Sequence, residues 1–185
     1  MPHIHTEDGQ HDHTVSAFIV HLDENNVPRI MLHMHRKLHK LLQPGGHVEL
    51  NETPWAAIKH ELVEETGFNP DQLKLLQPWL RMPMLDKANL HPFPVAHNTH
   101  SFKGQGVHKM EHMHYHTDIS YGFVTREFPQ DAPLEGESTD IRWLTLAELN
   151  ALDPEELYSD TKTIATWVLT IAVNQWEQVP TSTYA

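Results

Sequence analysis

Apolar positions along this chain change their period several times, and each change marks an element. Residues 14–22 (T-V-S-A-F-I-V-H-L) form a nearly continuous apolar run closed by D-E-N-N at 23–26, which predicts a buried strand followed by a turn. Residues 29–35 alternate, with Ile30, Leu32 and Met34 set against Arg29, Met31, His33 and His35. That period of two predicts a second strand, paired with the first as a hairpin. After Pro54 the period lengthens. Trp55, Ile58 and Leu62 fall on one side of a helix, with Ala56 and Val63 extending the stripe, so that side can pack on a core. Thr53 is placed to cap this helix, Pro54 to occupy its first position and Gly67 to end it. Further strands are expected at 73–81, 112–125 and 139–144, a short helix at 146–152 and a longer amphipathic one at 159–178.

Two stretches carry no period. Residues 3–13 are polar and read as an irregular arm over 1–13. Residues 82–111 carry Pro83, Pro92, Pro94, Gly104 and Gly106 and read as a long insertion or flap, because irregular chain of that length inside a compact domain is often functional. No internal repeat is present, and 185 residues fit one domain, 1–185, with a substantial core.

Composition narrows the function. The chain has no cysteine, which excludes disulfides, thiolate zinc sites and cysteine nucleophiles. No apolar run approaches the ~20 residues needed to span a membrane, and the first ten residues lack the apolar core of a secretory signal. A cytoplasmic location and no membrane partner are the default expectation. A formal charge of −12 argues against an extended nucleic-acid partner but not against a small anionic substrate, since a bound cation reverses the local field. Thirteen basic residues and 17 histidines against 25 acids would give +5 with every imidazole protonated, so the charge of this chain depends strongly on pH near neutrality.

The candidate chemistry begins on the helix after Pro54. Glu61, Glu64 and Glu65 fall within an arc of roughly 100° on a helix. Two such carboxylates ~5 Å apart in a half-buried cleft repel by roughly 3 kcal/mol. A divalent cation removes that repulsion, and oxygen ligands suit Mg2+ or Mn2+. From the carboxylates alone, a merely acidic helix face remains the simpler reading.

The wider spacing changes that. Gly46, Glu52, Glu61, Leu62, Glu64, Glu65, Gly67 and Phe68 match G-x5-E-x7-R-E-U-x-E-E-x-G-U, where U is a bulky apolar residue. One position departs from the pattern: His60 stands where it has arginine. The stretch resembles the box of the Nudix, or MutT-like, hydrolases, and the resemblance implies an α/β/α sandwich with a mixed sheet. It also implies hydrolysis of a diphosphate linkage in a nucleoside diphosphate derivative by water attack on phosphorus. The site it implies holds Mg2+ or Mn2+ on Glu61, Glu64, Glu65 and the Gly45 carbonyl. One carboxylate or a residue of a later loop activates the water, with Glu61 and Glu65 the catalytic candidates. Gly46, Glu52, His60 and Gly67 are the structural positions of the box. The family's arginine pairs with the residue that is Glu52 here, and a protonated His60 can do so conditionally.

A second row follows at 112–118 (H-M-H-Y-H-T-D). On a strand, His112, His114, His116, Asp118 and Ser120 share a face. One Nudix subgroup resembles this chain in L-Q-P-G-G-H-V-E, found here from Leu42 through Gly45, Gly46 and His47 to Glu49, and in E-x-x-H-x-H-x-D, found here at Glu111, His114, His116 and Asp118. The row is therefore expected to line the cleft of the box helix, with Arg36, His47, His114, His116 and Asp118 meeting substrate or a second, histidine-bound metal. His3, His5, His11 and His13 are assigned to the arm, and Trp143 and Trp167 to the core. The rival function is a catalytically silent Nudix domain that senses a ligand or metal. The partner is a small nucleotide-type molecule of unspecified identity, and a homodimer is compatible with the sequence.

Overall fold

The computed structural model describes residues 6–105 and 111–184, with only the backbone described at 104, 105, 111 and 112. His3 and His5 therefore lie outside the described residues, as do the side chains of Glu111 and His112. The strands are β1 (His11–Leu22), β2 (Pro28–His35), β3 (Lys40–Leu42), β4 (Gly45–His47), β5 (Lys74–Gln77), β6 (Ala96–Gln105), β7 (Glu111–Thr125), β8 (Ile141–Leu144) and β9 (Glu177–Pro180). The helices are α1 (Pro54–Thr66), α2 (Leu146–Ala151) and α3 (Ser159–Trp167). The α3 helix runs on through a π turn, Val168–Ala172, into a last helical turn, Val173–Gln175.

The strands form one sheet in the order β3-β2-β1-β7-β5-β9, with β4 also on β1, β6 on β7 and β8 on β2. β1 and β7 are parallel, from His11 opposite Tyr115 to His21 opposite Thr125, while the other pairs are antiparallel. Both faces of this mixed sheet are covered, which explains the near-continuous apolar run of β1. Val15, Ala17 and Ile19 point to one face and pack with Trp55, Ile58 and Leu62 of α1. Phe18 and Val20 point to the other and pack with Ala165, Val168 and Leu169 at the α3 side. The result is the expected α/β/α sandwich, and Trp143 and Trp167 pack against the two cores.

Three expectations need correction. The arm assigned to 1–13 ends sooner, because β1 begins at His11, where main-chain pairing with Tyr115 needs no apolar side chain. The segment 82–111 contains β6, whose ten residues pair with β7 from Ala96–Ser120 to Gln105–Glu111. Its sequence, AHNTHSFKGQ, has no period because it is ordered by backbone hydrogen bonds at a sheet edge rather than by burial. Residues 96–105 are thus a strand of the sheet, while residues 82–95 carry no helix or strand. The long helix expected to reach 178 stops at Gln175, and Glu177–Pro180 turns back as β9 along β5.

Candidate functional site

The site is assembled where the loop 43–46 meets one side of α1. Helix α1 starts as its sequence directs: Thr53 accepts the Ala56 N–H at 3.2 Å, and Pro54 occupies the first turn. It ends at Gly67, which adopts φ 73° and donates its N–H to the Val63 carbonyl at 3.1 Å. Trp55, Ile58 and Leu62 are buried against the sheet, and that anchorage leaves Glu61, Glu64 and Glu65 on an adjoining side.

Two glycines let the loop touch that side. A Cβ on Gly45 would lie 2.1 Å from the Val15 carbonyl oxygen, so only glycine permits β4 to lie this close to β1. The Gly45 N–H is then free to donate to Glu65 Oε2 at 2.8 Å. A Cβ on Gly46 would lie 1.9 Å from Glu61 Oε1, so the carboxylate of Glu61 occupies the space that a side chain would fill. The loop thus holds both half-buried carboxylates, one by a donor and one by a vacancy of shape.

The electrostatics follow from that packing. Burial pushes the Glu61 carboxyl up to about 7, with Glu64, Glu137 and Glu52 adding to the shift. Burial likewise pushes Glu65 up to about 8, against the Gly45 N–H and with Glu61, Glu137 and Glu64 adding. Glu137 is a fourth acid that the spacing of the box could not reveal. It enters through the loop after β7, where the Leu134 N–H donates to the Glu64 carbonyl at 2.8 Å. Glu64 itself is exposed.

Among the described residues no three His, Asp or Glu side chains converge as a closed metal centre. The arrangement is an open one: two half-buried carboxyls crowded by further acids, with an exposed third at the rim. That donor set fits a hard divalent ion that keeps several waters and takes oxygen ligands from one or two carboxylates and a phosphate.

The raised carboxyls make a stability prediction. An acid whose folded pKa exceeds its unfolded value of 4.5 stabilises the fold fully below that value, and the contribution is lost as pH rises through about 7 for Glu61 and 8 for Glu65. His33 acts oppositely, since burial and then His35 lower it to about 4, so its contribution is lost as pH falls below the ordinary imidazole range. The clean comparison is therefore with Glu61→Gln/Glu65→Gln. In chelator, the melting point of this double variant relative to the native sequence is expected to rise from about pH 5 to about pH 8.5, at roughly 2–4 °C per kcal/mol for a chain of this size. A difference independent of pH would contradict the burial of these carboxyls.

His33 is a site residue that the sequence reading did not single out. It is buried on β2, with Nε2 at 3.7 Å from Glu65 Oε2. Its Nδ1 meets no hydrogen-bond partner among the described residues. Burial favours the neutral form of both groups, so the contact is not an ion pair. The alternation of β2 gave the face of His33, but nothing local indicated that α1 would present Glu65 there.

His60 Nδ1 lies 2.9 Å from Glu52 Oε2, while Glu52 Oε1 accepts the Glu49 N–H at 3.0 Å. Glu52 thereby fastens the turn before α1 to the helix. His60 is 70% exposed, so an arginine would fit. His60→Arg is expected to keep turnover within about threefold, since an exposed pair contributes little, and to weaken its pH dependence by making the cation permanent. A tenfold loss with the fold intact would assign the imidazole a specific role. His47, Glu49, Glu52, His60, Glu61 and Glu64 line a cleft of about 570 Å3.

The histidine row occupies the α3 side of the sheet. Asp118 and His116 share the sheet face of Phe18 and Val20, opposite α1: Asp118 accepts hydroxyls from Thr14 and Ser16, which alternate with Val15 and Ala17. His114 and His116 are buried with their Nε2 atoms 3.2 Å apart, and Phe102 stacks on His116 at 4.8 Å. Parallel pairing of β7 with β1 puts the even-numbered positions of this row on the α3 side of the sheet. The link between the row and the cleft is His47, which lines the cleft, lies 3.5 Å from Asp12 Oδ2 and meets the His116 ring edge-on at 5.2 Å. His11 and His13 are in β1, with His11 stacked on Tyr115. Arg36 is exposed and donates to the Gly136 carbonyl.

Comparisons with known proteins agree with this fold. Residues 12–168 match the family described as the NUDIX domain. No curated protein matches the chain. Among solved structures, a hydrolase of the NUDIX family from Clostridium perfringens is 28% identical, with a TM-score of 0.61 over 85% of this chain and 95% of that one. A C. elegans Ap4A hydrolase shares the fold at 15% identity and a TM-score of 0.54, covering 83% and 92%. So does the NUDIX domain of Shewanella oneidensis NrtR complexed with ADP ribose, at 13% identity and a TM-score of 0.54, covering 86% of each chain.

Proposed function

The chain belongs to the Nudix family, and from that premise we propose that it is a hydrolase using Mg2+ or Mn2+ to cleave the diphosphate linkage of a nucleoside diphosphate derivative. The observation that carries the proposal is the seating of Glu61 and Glu65 on the Gly45–Gly46 loop, one against the missing Cβ of Gly46 and one on the Gly45 N–H. Glu61, Glu64, Glu65 and the Gly45 carbonyl would hold the ion. When bound, the ion shields the charge of the diphosphate and polarises phosphorus toward attack.

The residues divide the remaining work by position. Glu65 is committed to the Gly45 N–H and faces His33, so it orients the loop against the helix. Glu61 lines the cleft and is placed to accept the proton of the attacking water. The water oxygen bonds to phosphorus as the anhydride P–O bond breaks, and both products leave as phosphates. His47 at the rim of the same cleft is a candidate donor to the substrate, and His114 and His116 act behind it.

The test is turnover of a panel with Mg2+ and with Mn2+: ADP-ribose, dinucleoside tetraphosphates, nucleotide sugars and modified nucleoside triphosphates. Release of two phosphate-bearing products from at least one, abolished by chelator, is expected. Ion-dependent binding of a panel member with no turnover of any would instead support the silent, ligand-sensing alternative.

A further inference from the structure

We propose that Asp118 is a positioning residue for the loop that carries Gly45 and Gly46, acting through Ser16 and Gln43. The proposal rests on the reading of Glu61 and Glu65 as the ion-holding carboxylates, and it gives the buried acid of the histidine row a role other than contact with substrate or metal.

Both oxygens of Asp118 are occupied. Oδ1 accepts the hydroxyls of Thr14 and Ser16, each at 2.9 Å, and Oδ2 accepts that of Ser120 at 2.7 Å. All four residues are buried. A carboxylate with three protein donors has little capacity left for a ligand, and it dictates direction to every group bound to it, because it can only accept. Ser16 must give its proton to Asp118, so its oxygen is left to receive one.

The donor it receives is Gln43 Nε2, at 3.0 Å. That fixes which end of the Gln43 amide faces the sheet, and so which end faces away. The amide oxygen accepts the hydroxyl of Thr161, on α3, at 3.0 Å. The chain Thr161, Gln43, Ser16, Asp118 thus has one polarity from end to end, set by the acceptor-only carboxylate at its end. It clamps Gln43 between the sheet and α3.

Gln43 is two residues before Gly45. The next residue is held too, since the Ala17 N–H donates to the Pro44 carbonyl at 2.8 Å. Beyond it stand the Gly45 N–H that holds Glu65 and the Gly46 Cα against which Glu61 lies. A loop containing two adjacent glycines has little stiffness of its own. Its position is supplied by β1 on one side and by this relay on the other. Asp118 therefore reaches the box carboxylates from the opposite face of the sheet, across one strand.

The test compares three single variants. Ser16→Ala breaks the relay in the middle and leaves Asp118 two hydroxyls. Ser120→Ala removes a hydroxyl from the same carboxylate but leaves the relay whole. Asp118→Ala removes the acceptor that sets its direction. Amide hydrogen exchange at Gly45 and Gly46, read in metal-free protein against the amides of β5, reports loop position without any ligand. Exchange at Gly45 is expected to quicken about tenfold in Ser16→Ala and Asp118→Ala, with β5 unchanged, and to stay near the native rate in Ser120→Ala. Mn2+ affinity, titrated with the ion alone, is expected to fall about tenfold in the first two and little in the third.

Unchanged Gly45 exchange in Ser16→Ala, or an equal effect from Ser120→Ala, would overturn the relay and leave Asp118 an ordinary buried acid. Should Asp118→Ala fail to fold, the two serine variants decide the matter alone. A native protein that binds no Mn2+ would instead refute the ion-dependent reading of the site, and the exchange rates would still decide the relay.

Discussion

Replacing Glu65 by glutamine is expected to lower turnover by ~1000-fold, about 4 kcal/mol of barrier, while the fold is kept or slightly stabilised. Glutamine keeps the length and the oxygen that accepts the Gly45 N–H, so the loop still has its partner at 2.8 Å. What it removes is a negative charge that burial already disfavours, as the rise of this carboxyl to about 8 records. Activity and stability should therefore move in opposite directions above about pH 7, a combination that general damage to the fold does not produce. Steady-state kinetics on the substrate found by the panel, with thermal melting of the same preparations in chelator, make the measurement. Turnover within tenfold of the native rate would remove Glu65 from the ion site.

The second large effect is expected at Gly46. Gly46→Ala places a methyl group 1.9 Å from Glu61 Oε1, and the flexible carboxylate can move where backbone could not. The fold should survive, but displacement of a reacting group by about 1 Å costs on the order of 100-fold in rate. Gly45→Ala is the informative contrast. Its methyl meets the Val15 carbonyl at 2.1 Å and Ser16 Cα at 3.0 Å, which is backbone within the sheet. That variant should lose about 1–3 kcal/mol of stability from overpacking, and with it the pairing of β4 on β1. Adjacent glycines would thus separate into one that protects chemistry and one that protects the sheet. If Gly46→Ala retains native kcat, the seating of Glu61 is not part of the reaction. Crystals of that variant should show the Glu61 side chain swung away with α1 unmoved.

The sequence by itself determined the parts of this protein whose cause is local. Helix α1 was legible from Thr53 to Gly67 because caps and a 3.6-residue period act within a few residues of one another. The β1–β2 hairpin was legible for the same reason. The grouping of Glu61, Glu64 and Glu65 needed only helical geometry, and the contact of His60 with Glu52 spans just two turns of chain.

Alternation also gave the right partition of β7 into two faces. It could not say which face looks at α1, because a period of two is indifferent to a sheet's two sides. Parallel pairing of β7 with β1, more than 100 residues away in sequence, decided that, and it put Asp118 on the α3 side, where Ser16 donates to it. β6 and β9 were invisible for a related reason: main-chain hydrogen bonds to β7 and β5 order them, and backbone pairing leaves little trace in side-chain hydropathy. His33 and Glu137 belong with these. Each meets the box carboxylates only because separate strands and a later loop converge on α1, and convergence over such distances is a property of the packed sheet, not of any stretch of sequence.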